Sequence, residues 1–209
     1  MDYPKEMCLF LLQNKALIEK ESLVEQVEKV VFKAINQTIE KRIGPRNPWR
    51  SRFALVSGDE EGNEDTFFAP LDWPVKPNAN DLVGYQLWES EKDVNNYWLA
   101  HAFGLNGATL CFDFWMDARP GGPSKYKVKQ RLEAFFNETE AVRKAGFYYH
   151  ERGTLTLPFL LDAALVAEEY PDLKKSLAPV STALETLLKV NSEFDSLVKE
   201  FLPHEMMKK

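Results

Sequence analysis

The stretch from Tyr97 to Asp117 constrains the fold most, because two runs rich in apolar residues flank the pair Asn106-Gly107. Asn-Gly is the preferred central pair of a two-residue type I′ turn, since both positions need a positive φ. The sequence therefore predicts a β-hairpin with its turn at this pair. In the resulting register Trp98 lies directly opposite Trp115, and we expect the fold to be organised around this hairpin.

Alternation along the predicted hairpin separates an aromatic core face from a second face that carries small residues and, at one end, tryptophans. His101 falls on the core face, where we expect it to be buried and hydrogen-bonded. Asp113 falls on the second face, so the two residues do not form a catalytic dyad. The second face is the candidate surface for a ligand or partner, and its candidate residues are Trp98, Trp115, Trp88 and Asp113.

Other elements follow from capping and periodicity. Ser22 and Glu25 have the spacing of a capping box, apolar residues then recur at helical spacing, and Gly44-Pro45 supplies a stop, so a helix is predicted at 23–43. The further predictions are strands at 52–57, 66–69 and 82–90, a helix at 125–145, and either one bent strand or two strands at 147–158.

Together these elements predict an α+β fold. We expect an antiparallel meander sheet of five to seven strands, with N-terminal and C-terminal helices packed mainly on one face. All 209 residues are expected to form one domain. Its predicted parts are a helical segment at 1–45, a sheet at 50–158 with the inserted helix at 125–145, and C-terminal helices at 159–202.

Composition favours a cytoplasmic protein. A hydrophobic content of 44% is ample for a buried core, and a net charge of −6 argues against general nucleic-acid binding. The two cysteines, Cys8 and Cys111, are not spaced as a metal or redox motif, and no segment has the length of a membrane span. We therefore expect no membrane association, no metal and no cofactor.

The segment from Lys41 to Arg52 is locally basic and contains a tryptophan. Such a segment can hold phosphates while the aromatic ring stacks on a base. The alternative interpretation is a solvated connector that pairs with the acidic loop at 59–65. The candidate nucleic-acid or anion residues are Arg42, Arg46, Trp49 and Arg50.

A glycine-rich loop at 118–124 leads into the predicted helix at 125–145. Backbone amides at such a junction can bind an anion, and Lys125 would support it. The segment lacks the spacing of a Walker loop, and a plain connection between strand and helix is the alternative.

Apolar residues near the C-terminus follow a strict four-three spacing typical of a helix-packing seam. The functional interpretation is a homodimer or partner-helix interface within 173–201. The alternative is a pair of helices that pack on the sheet, with Pro179 opening the second and a break at Asn191-Ser192. The seam residues are Leu173, Leu177, Val180, Leu184, Leu187, Asn191, Phe194, Val198 and Phe201.

No sequence motif identifies a reaction, because the GxSxG, HExxH and GxGxxG patterns are absent. The catalytic residues therefore remain unknown. The first hypothesis is a non-enzymatic binding or regulatory domain that holds a protein partner through its sheet face or C-terminal helix. One alternative is a small-ligand or hydrolytic domain with a pocket between sheet and helices, and another is a nucleic-acid-associated protein that uses residues 41–52.

Overall fold

The computed structural model describes residues 15–44, 49–53, 66–73, 83–89, 98–107, 109–117 and 123–201. These residues form one six-stranded sheet and its accompanying helices. The helices are α1 (Lys15–Ile43), α2 (Trp98–Ala102), α3 (Lys125–Glu138), α4 (Glu140–Lys144), α5 (Ala163–Glu169) and α6 (Ala178–Phe201). The strands are β1 (Trp49–Arg52), β2 (Phe67–Pro70), β3 (Val83–Glu89), β4 (Leu110–Met116), β5 (Tyr148–His150) and β6 (Thr154–Phe159).

The sheet is antiparallel throughout, with the strand order β1-β2-β3-β4-β6-β5. The first four strands form a meander, and β6 lies between β4 and the edge strand β5. The predicted α+β fold with an antiparallel sheet and N-terminal and C-terminal helices is confirmed. Strand β4 is central, since it pairs with β3 on one side and β6 on the other.

The predicted hairpin is wrong in its first half. Residues Trp98–Ala102 form helix α2, and Leu105–Gly107 form a turn of 3₁₀-helix in place of the type I′ turn. Both edges of β4 are occupied by β3 and β6, so no edge remains for a strand at 98–105. The sequence WLAHA also contains leucine and two alanines, which favour a helix. The predicted pairing of Trp98 with Trp115 therefore does not form.

Helix α1 begins before the predicted capping box. The described helix starts at Lys15 and continues through Ser22, because residues 15–21 contain neither proline nor glycine to interrupt it. Its end at Ile43, just before Gly44, agrees with the prediction. The helix contributes Val31, Ile35 and Ile39 to the core, and all three side chains are fully buried.

The open alternative for residues 147–158 is resolved as two strands. The backbone amide of Gly153 donates to the carbonyl of His150 at 2.8 Å, which closes the turn between β5 and β6.

The predicted helix at 125–145 is divided into α3 and α4, because Thr139 has an extended backbone with φ −100° and ψ 92°.

The core is aromatic and lies between the sheet and the helices. Tyr85 of β3 and Phe114 of β4 face it, and the ring of Phe194 in α6 lies 5.6 Å and 4.6 Å from their ring centroids. Phe135 of α3 and Phe147 complete the contacts around Phe194 at 5.5 Å and 5.3 Å. Burial of one such ring stabilises the fold by roughly 1.5–3 kcal/mol. This cluster fixes which sheet face the helices cover.

Helix α6 continues through the predicted break at Asn191-Ser192, so that prediction is wrong. Asn191 Oδ1 accepts a hydrogen bond of 3.0 Å from the Tyr85 hydroxyl, and its amide nitrogen lies 3.3 Å from Asp195 Oδ2. The polar side chain is therefore satisfied inside the helix, which removes the reason for a break. Pro179 lies in the first turn of α6, as predicted.

Candidate binding site

The sheet face turned away from the aromatic core carries the polar residues. In β4 the side chains of Cys111, Asp113 and Trp115 alternate with the core residues Phe112 and Phe114. In the register Cys111 lies opposite Trp88, Asp113 opposite Gln86, and Trp115 opposite Gly84. We call this surface the polar face. It brings together three of the four predicted candidates, namely Trp88, Asp113 and Trp115.

Trp98, the fourth predicted candidate, lies elsewhere. Its side chain is buried in α2 and packs edge-to-face against Phe32 of α1, with ring centroids 5.1 Å apart. Trp115 instead packs against Phe67, at 6.0 Å between ring centroids. The tryptophan pair was predicted from the hairpin register, and it is absent because Trp98 belongs to a helix.

Asp113 is the buried acid of the polar face. The Thr156 hydroxyl donates to its Oδ1 at 2.6 Å, and Arg152 Nη2 donates to its Oδ2 at 3.0 Å. Burial raises the pKa of Asp113, while the Thr156 hydroxyl and the Arg152 guanidinium lower it in part. The carboxylate is thus held by two donors in a site where an unpaired charge would be costly.

Arg152 reaches Asp113 from the loop between β5 and β6. The loop has three residues, Glu151, Arg152 and Gly153, and Gly153 has φ +86°. A type I turn followed by a left-handed residue is the usual form of a three-residue hairpin loop, and glycine suits that last position. A Cβ at Gly153 would also lie 2.4 Å from the Lys129 side chain. The glycine therefore places Arg152 over the sheet.

Arg152 makes further contacts on the polar face. Its Nη2 donates to the Glu89 carbonyl at 3.2 Å, and its guanidinium carbon lies 5.6 Å from the Trp88 ring centroid, a cation–π distance. Its Nε and Nη1 atoms are buried, and neither has a hydrogen-bond partner in the structure as described. Arg152 therefore holds Asp113 with one nitrogen and retains donor capacity on the other two.

A cavity of about 320 Å³ lies beside Arg152, between β4 and α3. We call it the Trp115 cavity. The Trp115 Nε1 atom is buried and, within the described part of the chain, has no hydrogen-bond partner. Lys129 has its ammonium 3.1 Å from the Glu151 carbonyl. The lining residues are Trp115, Met116, Asp117, Lys125, Val128, Lys129, Arg152, Gly153 and Thr154.

The cavity is suited to an anionic group. Among the described lining residues, three are cationic and one, Asp117, is a carboxylate. Buried N–H donors without partners are costly, and a ligand with acceptor oxygens removes that cost. The sequence pointed to Lys125 as support for an anion at this loop, but it gave no indication that Arg152 lies beside it. The only local sign of Arg152 in the sequence was its position just before Gly153, in a predicted turn.

Cys111 is not suited to nucleophilic chemistry. Its thiol is fully buried and lies 3.2 Å from the Trp88 carbonyl. Burial raises the pKa of the Cys111 thiol, and the neighbouring Asp113 carboxylate raises it further. A reactive cysteine needs the opposite environment, one that favours the thiolate.

His101 and Asp113 lie on different faces of the sheet, so no dyad forms. The His101 side chain is fully buried on the helical side, and its Nε2 lies 3.3 Å from Glu89 Oε2. Burial raises the pKa of Glu89, whereas His101 and Arg152 lower it. The prediction that His101 is buried is confirmed. The predicted hydrogen bond is not found, because neither ring nitrogen has a hydrogen-bond partner within the described part of the chain.

The predicted nucleic-acid residues are mostly engaged in internal contacts. Arg50 donates to the carbonyls of Pro70 and Trp73 at 2.9 Å each, and Arg42 pairs with Glu185. The ring of Trp49 stacks on that of Tyr85, at 6.0 Å between centroids. Arg46 lies outside the described residues. These contacts leave Trp49 poorly placed to stack on a base.

The apolar seam near the C-terminus is used inside the chain. Val180, Leu184, Leu187, Phe194 and Val198 are fully buried in the core. The alternative interpretation, helices that pack on the sheet, describes this arrangement. A homodimer or partner interface within 173–201 stays a prediction, and it would have to use the exposed side of α6.

Two other site types find no support in the described residues. Their His, Cys, Asp and Glu side chains include no group of three arranged to hold a metal ion. None of the described helices combines the length and apolar character that crossing a bilayer requires. Comparison with known proteins adds no function, since no family model, curated protein or solved structure matches the chain.

Proposed function

We propose that this protein is a non-catalytic binding domain whose Trp115 cavity receives a small organic anion. The observation that carries the proposal is that Trp115 and Arg152, whose buried N–H donors have no partners in the described structure, line one cavity together with Lys125 and Lys129. The sequence analysis gave a small-ligand or hydrolytic domain with a pocket between sheet and helices as an alternative; this proposal keeps the small ligand and leaves out hydrolysis.

The surrounding chemistry favours binding over catalysis. Asp113 is fully buried, and both of its carboxylate oxygens accept hydrogen bonds, from Thr156 and Arg152. Cys111 is buried with a raised pKa, and His101 lies on the opposite side of the sheet. The polar face thus offers hydrogen-bond donors and positive charge without an activated nucleophile.

Titration calorimetry with benzoate and with inorganic phosphate tests the proposal. We expect binding of at least one of these anions at low salt, with an affinity that falls as salt rises because exposed charges are screened. Lys129→Gln is expected to weaken binding about three- to tenfold, since each charge near an anion contributes on the order of 1 kcal/mol. Binding of neither anion by the wild-type chain would overturn the proposal.

The matched control is Lys144→Gln. Lys144 is exposed on α4 and pairs with Glu140 at 2.7 Å, away from the cavity residues. The variant Lys144→Gln removes one positive charge from the protein, as Lys129→Gln does. Equal weakening by both variants would show a general charge effect and would contradict a site at the Trp115 cavity.

A further inference from the structure

We infer that Asp113 is a positioning residue of the anion site. Its carboxylate fixes Arg152 at the Trp115 cavity, and this contact raises the affinity for an anion although a carboxylate by itself repels one. The role rests on the proposed function, because it concerns the same cavity. It follows from the contacts that connect the central strands of the sheet to the loop that carries Arg152.

Asp113 and Thr156 lie on two paired strands in the middle of the sheet. They are directly opposite each other on β4 and β6, and both are fully buried. The Thr156 hydroxyl donates to Asp113 Oδ1 at 2.6 Å, and the Cys111 thiol lies 3.5 Å from the same oxygen. These contacts orient the carboxylate, whose Oδ2 accepts from Arg152 Nη2 at 3.0 Å. A group held by packed strands is placed more precisely than a group held by a loop.

Arg152, by contrast, lies on the three-residue loop between β5 and β6. An arginine side chain on a loop can adopt many rotamers, and confining it when a ligand binds costs entropy. The Asp113 carboxylate and the Glu89 carbonyl both accept from Nη2, so the guanidinium is confined before any ligand arrives. In this position Arg152 lines the Trp115 cavity. Its side chain is therefore ordered when the sheet folds rather than when the anion binds.

The charge of Asp113 acts in the opposite direction. A carboxylate near a bound anion lowers the affinity by Coulomb repulsion, which weakens with distance and with screening. Asp113 is not among the described residues that line the cavity, whereas its contact with Arg152 is direct. We therefore expect the positioning effect to exceed the repulsion. The two effects predict opposite changes in anion affinity when the carboxylate is removed.

Thr156→Val tests the positioning role without changing any charge. Valine has nearly the shape of threonine but cannot donate to Asp113, so the carboxylate and Arg152 lose their fixed orientation. Calorimetry at pH 7.5 with benzoate and with inorganic phosphate should show about three- to tenfold weaker binding than wild type, the effect of one lost hydrogen bond. Thr156→Ser keeps the hydroxyl and should bind within about twofold of wild type. Urea unfolding of each variant confirms that it is folded under the conditions of the titration.

Thr66→Val is the matched control for Thr156→Val. Thr66 is also fully buried, and its hydroxyl donates to Asn36 Oδ1 at 2.6 Å, outside the described cavity lining. The variant removes an equally short buried hydrogen bond and leaves the contacts of Arg152 intact. We expect its anion affinity to stay within about twofold of wild type, because distant sites act independently. Equal weakening in both valine variants would show a general effect of lost stability and would overturn the inference.

Asp113→Asn tests the sign of the effect. Repulsion alone predicts tighter anion binding by this variant. The positioning role predicts binding about threefold weaker or more, because a neutral amide holds a guanidinium less strongly than a carboxylate does. Asp195→Asn is the control of equal charge, since Asp195 lies on α6 and accepts from Trp73 Nε1 at 2.6 Å. It should change anion affinity by less than about twofold.

The outcomes separate the two proposals. If wild type binds neither anion, the proposed function and the positioning role both fail. If wild type binds but either Thr156→Val or Asp113→Asn binds as tightly or more tightly, the positioning role fails and the proposed function stands. Weaker binding by both variants, with Thr156→Ser close to wild type, supports the role. If Asp113→Asn does not fold, the comparison of Thr156→Val with Thr156→Ser decides alone.

Discussion

Replacement of Arg152 by methionine removes the guanidinium that donates to the buried Asp113 carboxylate. Methionine keeps an apolar stem of similar length, so the change mainly deletes the guanidinium. Arg152 Nη2 lies 3.0 Å from Asp113 Oδ2, and the two side chains are 23% and 1% exposed. The variant therefore leaves a buried carboxylate with the Thr156 hydroxyl as its remaining strong donor.

The expected loss of stability follows from the geometry. Two charges about 4 Å apart interact by about 4 kcal/mol at an effective dielectric constant of about 20. The loss of unfolding free energy is smaller than this, because Arg152 is partly solvated and Thr156 continues to donate to Asp113. We expect the free energy of unfolding of Arg152→Met to fall by roughly 2–3 kcal/mol at pH 7.5.

The loss should depend on pH in a defined direction. Burial already raises the pKa of Asp113, and removal of the guanidinium raises it further. In the unfolded chain an aspartate ionises near pH 3.9. Above that pH the unfolded state has released a proton that folded Asp113 retains, so the variant loses stability as pH rises. The difference from wild type is therefore small near pH 4 and grows as pH rises toward neutrality.

Urea unfolding followed by circular dichroism at pH 4.5 and pH 7.5 measures the loss of unfolding free energy and its dependence on pH. The double variant Arg152→Met with Asp113→Asn removes the buried charge as well, and it should regain about 1–2 kcal/mol relative to Arg152→Met at pH 7.5. Lys144→Met is the exposed control and should change stability by less than about 0.5 kcal/mol. A loss equal at both pH values, or no recovery in the double variant, would refute the role given to the ion pair.

Three further predictions concern parts of the fold outside the site. Phe194→Ala removes the ring at the centre of the aromatic core and should lower the free energy of unfolding by about 3–5 kcal/mol in urea titrations; a loss under about 1 kcal/mol would contradict its position. Gly84→Ala should cost about 1–3 kcal/mol in the same assay, because its Cβ would lie 2.2 Å from the Phe67 ring, and an unchanged midpoint would count against this packing. Glu169 accepts from the Ser176 amide and hydroxyl, which helps lower its pKa to about 2, so Glu169→Gln should lower the thermal midpoint at pH 7 by about 2–4 °C. Since the folded pKa is depressed, this difference should disappear as pH falls from about 4.5 to about 2, and a difference that persists at pH 2 would exclude the carboxylate as its cause.

Local patterns predicted most of the elements, and long-range strand pairing explains why the predicted hairpin failed. The alternation at 82–90 and 109–117 located β3 and β4, and the same alternation placed Trp88, Asp113 and Trp115 on one face. The Asn106-Gly107 pair is also a local cue. It was outweighed because β4 uses both edges to pair with β3 and β6, which lie far away in the sequence.

The site was predicted less completely for the same reason. Arg152 is separated from Asp113 by 39 residues, and no property of the segment around either residue indicates that they meet. Their contact depends on β6 lying beside β4, with Thr156 directly opposite Asp113. A strand order of this kind is set by the packing of the whole sheet rather than by the local sequence.

The position of β6 between β4 and β5 has a consequence for how the protein folds. Strands β1 to β4 follow one another in a meander, whereas β6 reaches β4 only after a connection that contains α3 and α4. Closing that connection costs chain entropy before the new contacts form, and such non-local pairing is slow. We therefore expect the contact between Asp113 and Arg152 to form after the β1–β4 meander, so that anion binding in the Trp115 cavity would report a completed sheet.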